Sequence, residues 1–115
     1  ELWSHLSTCP GGLGVDPTFY TLRWITTLLS REFDLPDTLR LWDALLAQKG
    51  LRRRQEWLSY FCVAMVLGLK PQLLESDFSA AVHLLQDYPP TAPPLEHLLA
   101  SAEGLRRADA RARTA

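Results

Sequence analysis

The sequence contains little cysteine, no excess of positive charge and no long apolar run, and each shortage excludes a class of protein. Cys9 stands in a Pro-Gly-rich stretch and Cys62 in an apolar one, so the two form neither a disulfide framework nor a metal-ligand spacing. Twelve Lys and Arg face thirteen Asp and Glu, which argues against a nucleic-acid-binding protein. The uncharged stretch from Trp57 to Leu69 is shorter than the ~20 residues that a transmembrane helix needs. We therefore expect no transmembrane segment, and a reducing compartment such as the cytoplasm.

Signals for β-strands are missing as well. No segment outside the helix-like windows alternates apolar and polar residues over four or more positions, and Asn-Gly and Asp-Gly turns do not occur. A chain of 115 residues with 47% apolar content is one domain at most. We predict the all-α class, an irregular array of about five to six helices. Residues 1–105 would form the helical body and residues 106–115 a frayed tail.

Prolines, glycines and capping residues indicate where these helices begin and end. Asp16 before Pro17 suits a helix start, and Leu35-Pro36-Asp37 separates two helices because the residue before a proline avoids the helical region. Gly50 and Lys70-Pro71 are interpreted as stops, and Ser76 as an N-cap. These signals predict helices over residues 1–8, 17–32, 36–47, 57–67 and 77–86, and a last one from about Pro94 with Leu95, Leu98, Leu99, Ala102 and Leu105 on its apolar side.

Residues 57–67 form the most apolar predicted helix, hydrophobic around nearly its whole circumference. A helix of this kind must be covered on all sides. The other predicted helices are largely one-sided, as residues 17–32 show with an apolar stripe at helical spacing. We therefore expect residues 57–67 to need apolar surface from outside the chain, and expect the isolated chain to self-associate.

A distinctive pattern lies between Phe19 and Asp43. It consists of aromatic-x-x-Leu-Arg-Trp, then Glu-Phe, then Leu-x-Leu-Trp-Asp, and residues 73–78 and 84–89 continue it. From Leu2 to Leu99 the chain resembles the C-terminal part of the TBC domain, the GTPase-activating module for Rab proteins. The residues of the first stretch on which the resemblance rests are Phe19, Leu22, Arg23, Trp24, Glu32, Phe33, Leu39, Leu41, Trp42 and Asp43.

The resemblance implies a mechanism whose key residues are absent from this sequence. Such a domain supplies a GTPase with an arginine that stabilises charge on the transferred phosphoryl group and a glutamine that positions the attacking water. The family has these on Ile-x-x-Asp-x-x-Arg and Tyr-x-Gln motifs. Here the only isoleucine, Ile25, has Leu28 in place of the Asp, and Tyr20, Tyr60 and Tyr88 are followed two positions on by Leu, Cys and Pro.

In the family both finger motifs lie upstream of the stretch that residues 19–43 resemble. The chain also begins with Glu1 rather than Met. We therefore expect residues 1–115 to be the C-terminal portion of one TBC domain. We predict no catalytic, cofactor-binding or metal-ligating residue in this chain, and no cofactor.

Several residues could be assigned either a structural or a functional role. Arg23 could be a substitute finger, but we favour a structural partner for Glu32, Asp43 or a helix-end carbonyl. Trp24 and Trp42 favour core packing over contact with a GTPase. Asp43 is interpreted as a partner of Arg23 or Arg40, or as a cap.

Other polar motifs give weaker signals. His5, His83 and His97 are far apart and show no metal-ligand spacing. Residues 52–54 and 106–107 are arginine runs that could contact an acidic GTPase surface or anionic lipid, although nearby acids favour a solvated face. The Pro-x-x-Pro match at Pro90–Pro93 is explained equally well by one helix stopping and another starting.

The sequence thus supports two hypotheses from different classes. The first is the C-terminal portion of a Rab GTPase-activating protein, not itself an enzyme. It would pack on the N-terminal portion of the same domain, act with a Rab-family GTPase in vesicle trafficking, and be cytoplasmic, reaching membranes through that GTPase. The second is a non-catalytic helical interaction or scaffold module that binds a partner helix through residues 57–67.

Overall fold

All regular secondary structure in the described residues is helical, which confirms the all-α class. The computed structural model describes Gly14, residues 21–89 and residues 92–114. The helix predicted over residues 1–8, and Cys9, lie outside this part. Six helices occur in the described residues: α1 (Thr21–Thr26), α2 (Leu35–Leu46), α3 (Leu51–Gly68), α4 (Lys70–Leu74), α5 (Phe78–Gln86) and α6 (Leu95–Thr114). None of those six is long and apolar enough to cross a bilayer.

The chain divides into two compact units. The first comprises Glu1–Glu32 and Leu69–Ala92 and includes α1, α4 and α5; the second comprises Phe33–Gly68 and Pro93–Ala115 and includes α2, α3 and α6. In the first unit α4 packs on α5, and in the second α3 packs mainly on α6 and also on α2. Buried apolar residues of the first unit are Trp24, Leu29, Leu69, Leu73, Ala81 and Leu85, and those of the second are Leu41, Leu45, Trp57, Phe61, Cys62, Ala64, Met65, Val66, Leu95, Leu98 and Ala102.

The first helix ends earlier than predicted. The prediction extended it to residue 32, whereas α1 ends at Thr26. The N–H of Leu29 donates to the carbonyl of Trp24 at 2.7 Å and that of Leu28 to Ile25 at 3.1 Å, the two bonds of a Schellman motif. Leu28 and Leu29 accordingly have positive φ angles of 50° and 64°. Glycine usually marks this motif, so two leucines gave no warning of the stop.

The joint predicted at Leu35-Pro36-Asp37 is confirmed to within one residue. α2 begins at Leu35, with Pro36 in its first turn and Asp37 behind it. The cap itself is Asp34, whose Oδ1 accepts the N–H of Asp37 at 3.0 Å. This carboxylate satisfies an amide that would otherwise have no partner at the helix start.

The connection between α2 and α3 depends on an arginine rather than on Gly50 alone. Gly50 has a φ of 88° and stands directly before α3. Arg54 in the first turn of α3 donates from Nε to the carbonyl of Gln48 at 3.0 Å and from Nη2 to that of Leu46 at 3.3 Å. These bonds satisfy carbonyls at the end of α2 and beyond it, which a helix terminus leaves without partners.

The region from Gly68 to Asp77 differs from the prediction in three ways. α3 ends at Gly68, before Lys70-Pro71, because a short helix, α4, begins at Lys70 with Pro71 in its first turn. Ser76 is not the cap of the next helix: its hydroxyl donates to the carbonyl of Gln72 at 2.6 Å. The cap of α5 is Asp77, whose Oδ1 accepts the N–H of Ala80 at 2.9 Å. Asp and Ser are equally good N-caps, so the sequence placed the cap one residue too early, at Ser76 instead of Asp77.

The last helix continues where a frayed tail was predicted. α6 extends to Thr114 instead of ending near Leu105. Ion pairs within the helix connect Arg106 and Arg107 to Glu103, and Arg113 to Asp109 at 3.0 Å. Tyr60 of α3 donates its hydroxyl to Asp109. Polar contacts thus replace the large apolar residues whose absence suggested fraying.

The apolar circumference of α3 is mostly covered within the chain itself. Its six buried residues lie on several sides of the helix, and only Ser59 is exposed between residues 57 and 67. The expectation that this segment needs apolar surface from outside is therefore wrong for residues 57–67. The large exposed apolar residues of the second unit lie elsewhere, at Leu35, Leu39, Leu46 and Leu51.

Glycines in α3 and α6 provide a matched test of this packing. A Cβ on Gly68 would lie 3.2 Å from both Leu98 Cδ2 and Pro93 Cδ, whereas nothing lies within 4 Å of one on Gly104. We expect Gly68→Ala to lower the free energy of unfolding by about 1 kcal/mol through overpacking. Gly104→Ala should raise it by about 0.5–1 kcal/mol through helix propensity. Urea denaturation of both variants measures this, and equal effects would contradict the close approach at Gly68.

Candidate functional site

The outer face of α2 is an exposed apolar strip. Leu35, Leu39, Trp42 and Leu46 follow the spacing i, i+4, i+7, i+11, which at about 100° per residue places them within an arc of about 60°. Leu35 is 70% exposed, Leu39 50% and Leu46 60%, and Trp42 is half-buried. We call these four residues the α2 stripe.

A neighbouring face of α2 is buried in the core of the second unit. Thr38, Leu41 and Leu45 are buried, and the hydroxyl of Thr38 donates to the carbonyl of Phe33 at 3.3 Å. Leu41 and Leu45 therefore belong to the core of the second unit, while the α2 stripe lies roughly 90° around the helix from them. A helix with two apolar faces, one covered and one exposed, is suited to join two layers of protein.

The two tryptophans singled out in the sequence have different environments. Trp24 is fully buried, its Nε1 donates to the carbonyl of Leu85 at 3.2 Å, and its ring meets that of Tyr88 edge-on at 6.0 Å. Burial raises the pKa of Tyr88. Core packing is therefore confirmed for Trp24. Trp42 instead belongs to the half-exposed α2 stripe.

The remaining residues of the motif pattern separate in the same way. Leu41 is buried, whereas Leu39 and Asp43 are exposed. Phe33 is half-buried and its ring lies 6.1 Å from that of Phe61. The side chains of Phe19, Leu22 and Arg23 lie outside the described part, so the proposed partners of Arg23 stay a prediction.

The expected pairing of Asp43 with Arg40 is not observed. Arg40 Nε lies 3.0 Å from Glu96 Oε1, which connects α2 to α6 within the second unit. Arg40 and Asp43 are three residues apart, but Glu96 at the start of α6 competes for the same guanidinium. Both partners are largely exposed, so this pair contributes little to stability.

The three arginines of residues 52–54 have three different environments. Arg52 pairs with Glu56 at 3.2 Å across one helical turn, and Arg54 caps α2 as described above. Arg53 is exposed and forms no ion pair with any residue that the structure describes. A solvated face thus describes Arg52, but sequence reasoning missed the capping role of Arg54.

A cleft of about 540 Å³ opens between α3 and α6 in the second unit. Glu103 lines it, and Asp109 contacts two of its lining residues, Tyr60 and Arg113. Arg106 donates to Glu103 from Nη2 at 2.5 Å and from Nε at 3.1 Å, and these bonds lower the pKa of Glu103 below its ordinary value of 4.5. The hydrogen bond to Asp109 raises the pKa of Tyr60 above its ordinary value of 10.0. The cleft is lined by Gln48, Arg53, Glu56, Trp57, Tyr60, Glu103, Arg106, Ala110 and Arg113.

The described histidines, His83 and His97, belong to no metal site. Within the described ranges, no three His, Cys, Asp or Glu side chains come together as potential metal ligands. His5 and Pro90 lie outside those ranges. The ring of Pro93 lies against Gly68, so this proline takes part in packing between α3 and α6.

Comparison with known proteins supports the resemblance. The family model described as the Rab-GTPase-TBC domain matches residues 1–74. Human TBC1 domain family member 13 is 47% identical over 77 residues, which cover 67% of this chain and 18% of that protein. Human TBC1 domain family member 5 is 39% identical over 89 residues, which cover 77% of this chain and 10% of that protein. GTPase-activating protein gyp1 of Schizosaccharomyces pombe is 30% identical over 76 residues, which cover 66% of this chain and 15% of that protein.

The chain belongs to the Rab-GTPase-TBC domain family. It spans less than a fifth of the length of these relatives, 18% for TBC1 domain family member 13. The family match includes α1 to α4 but ends at residue 74, before α5 and α6. No solved structure matches the chain.

The role of Trp24 can be tested by comparison with Trp42. Trp24→Phe removes the donor to the Leu85 carbonyl and part of a buried ring, so we expect a loss of about 1–3 kcal/mol in the free energy of unfolding. Trp42→Phe alters a half-exposed side chain and should cost about 0.5 kcal/mol. Chemical denaturation followed by circular dichroism measures both values, and a larger loss for Trp42→Phe would contradict the assignment.

Glu103 predicts a sign for the pH dependence of stability. Because its pKa is lowered in the folded chain, its stabilising contribution is present above pH 4.5 and is lost as the pH falls below that value. We expect the free energy of unfolding to decline more steeply below pH 4.5 in the native chain than in Glu103→Gln. Parallel declines for the two proteins would show that the arginine contacts contribute nothing.

Proposed function

We propose that this chain is the C-terminal portion of a Rab GTPase-activating domain and that its role in activation is architectural. Family membership and the similarity to gyp1, a GTPase-activating protein, support this proposal. The arginine and glutamine that the reaction requires are absent from residues 1–115 as family motifs. They would lie upstream of this chain and act on a Rab-family GTPase.

The α2 stripe is the observation on which this proposal rests. Leu35, Leu39 and Leu46 are all at least half exposed, and they lie inside the region that the family model matches. A contiguous row of large apolar side chains without polar interruption is unfavourable in water, so it indicates a surface that another layer of protein covers. The N-terminal portion of the same domain would be that layer.

Covering the α2 stripe would fix the position of the finger-bearing helices relative to this chain. A displacement of those helices by a few tenths of an ångström to about 1 Å is enough to lower a catalytic rate substantially. The chain would therefore affect catalysis without touching the nucleotide. The protein would act in vesicle trafficking, be cytoplasmic, and reach membranes through its GTPase.

A non-catalytic interaction module is the second candidate, and the same stripe favours it. A partner helix could use anchors at i, i+4 and i+7 spacing to bind there. The two functions differ in one respect, which is whether the longer protein accelerates GTP hydrolysis. The upstream sequence separates them too, since an activator needs both finger motifs.

The test measures phosphate release from GTP-loaded Rab proteins with the chain alone and with the longer natural protein that contains it. We expect acceleration by the longer protein and none by the chain alone. In the longer protein, Leu39→Glu should lower the rate at least about tenfold, since it places a charge in a covered apolar layer. Leu51→Glu is the matched control, because Leu51 is 72% exposed and lies off the α2 stripe.

Two results would overturn the proposal. Acceleration by the isolated chain would show that it contains catalytic groups. Equal effects of Leu39→Glu and Leu51→Glu in the longer protein would show that the α2 stripe is not a covered surface. Circular dichroism of both variants in the isolated chain checks that neither substitution unfolds it.

A further inference from the structure

Positive charge is concentrated at one end of the second unit, although the whole chain has a net charge of −1. Residues 51–60 contain three arginines and one glutamate, and residues 103–114 contain four arginines and two acids. The two stretches together therefore have an excess of four positive charges. The rest of the chain is correspondingly acidic, so the overall balance conceals this asymmetry.

Antiparallel packing of α3 and α6 brings these two stretches together. Gly68 at the end of α3 lies against Leu98 near the start of α6, and Tyr60 contacts Asp109 further along. The same register places the first turns of α3 beside the last turns of α6. There the helices are separated by the cleft of about 540 Å³, a volume within the range of about 300–1,000 Å³ typical of ligand sites.

The cleft has a recessed tryptophan and a charged rim. Two glutamates line it, and each is paired with an arginine, Glu56 with Arg52 and Glu103 with Arg106. Trp57 is 4% exposed and stacks on Phe61 with ring centroids 5.3 Å apart, so its recessed ring is held rigidly. Ala110, which is exposed, also lines the cleft. Arg53 from α3, and Arg106 and Arg113 from α6, line the same cleft.

The rim cations differ in how far they are committed to partners. Arg106 is bound to Glu103, and Arg113 lies 3.0 Å from Asp109. Arg53 forms no ion pair within the described residues and is exposed to solvent. A guanidinium has five N–H donors, so Arg113 also keeps donors beyond its single contact with Asp109.

We propose that the cleft between α3 and α6 binds an acidic peptide segment. A carboxylate of the segment would be held by Arg53 with a contribution from Arg113, and an apolar side chain would lie against Trp57 and Ala110. Concave shape favours a peptide over a membrane, because a membrane-binding face projects its apolar residues instead of recessing them. Charge-assisted pairing with arginine supplies the specificity. This site is separate from the α2 stripe and does not depend on the proposed GTPase activation.

The binding test uses the full chain and a fluorescein-labelled synthetic peptide made of Asp and Glu around one central Phe. The control peptide has Asn and Gln in place of the acids. We expect a rise in fluorescence anisotropy with the acidic peptide only, and a weaker response as salt is raised. Failure of the acidic peptide to bind would overturn the proposal.

Neighbouring arginines provide the matched variants. Arg53→Gln should weaken binding of the acidic peptide about tenfold, because it removes a charge-assisted contact in the cleft. Arg52→Gln removes the same charge from the same turn outside the cleft lining but also leaves Glu56 of the lining unpaired, so it should weaken binding by at most about threefold. Equal weakening by the two would indicate unspecific attraction and contradict the site.

A second pair of variants tests the cleft without changing charge. Ala110→Leu enlarges a side chain of the cleft lining and should weaken binding, whereas Ala108→Leu, equally exposed on α6 but outside the lining, should not. Alanine and leucine both favour a helix, so neither substitution should change the circular dichroism spectrum. Binding unaffected by Ala110→Leu would place the peptide elsewhere.

Two other occupants would appear as distinct results. Capture by phosphatidylserine vesicles that Arg52→Gln and Arg53→Gln reduce alike would favour a membrane surface and overturn the proposal. A dimer of the native chain that Arg53→Gln alone converts to a monomer would make a second copy the occupant, with the same consequence.

Discussion

The need to bury an almost entirely apolar helix organises the second unit. Between Trp57 and Leu67 only Ser59 is exposed, so α3 must be enclosed on nearly all sides. α6 packs along it, in close contact at Gly68, and α2 packs on it as well. The aromatic stack of Trp57 on Phe61, with Phe33 edge-on to Phe61, fills the interior. Because α3 takes its cover from α2 and α6, those two helices determine which surfaces are left for other partners.

α2 uses only part of its apolar surface to cover α3. Leu41 and Leu45 are buried, while Leu35, Leu39 and Leu46 remain at least half exposed. In a chain of the Rab-GTPase-TBC domain family, an unused apolar face inside the matched region has a natural interpretation as a surface of assembly. Between α3 and α6 lies a different kind of surface, a cleft whose lining includes three arginines. The two surfaces differ in chemistry, and so do the partners we propose for them.

Features that depend on local sequence patterns were predicted correctly. Features for which neighbouring residues compete for the same role were not. The all-α class and the joint at Pro36 follow from periodicity and proline stereochemistry, and both are confirmed. Two neighbouring residues could each cap α5, and Asp77 does so while Ser76 closes α4. Leu28 and Leu29 adopt positive φ, a conformation that leucine does not signal.

Predictions about surfaces failed for a related reason. The apolar length of residues 57–67 suggested exposed surface there, but the preceding helix α2 and the distant helix α6 cover it. Arg54 and Arg53 are adjacent and chemically identical, yet one caps α2 and the other lines a cleft. Helical phase and tertiary packing decide such differences, and composition does not contain them.

The central claim is that the α2 stripe is exposed in this chain and covered in the longer protein. Hydroxyl-radical footprinting with mass spectrometry measures side-chain exposure at single residues and tests this claim directly. We predict that Leu35, Leu39, Trp42 and Leu46 are oxidised readily in the isolated chain and strongly protected in the longer protein, while Leu51 changes little. Equal oxidation of the stripe in both proteins would contradict the account.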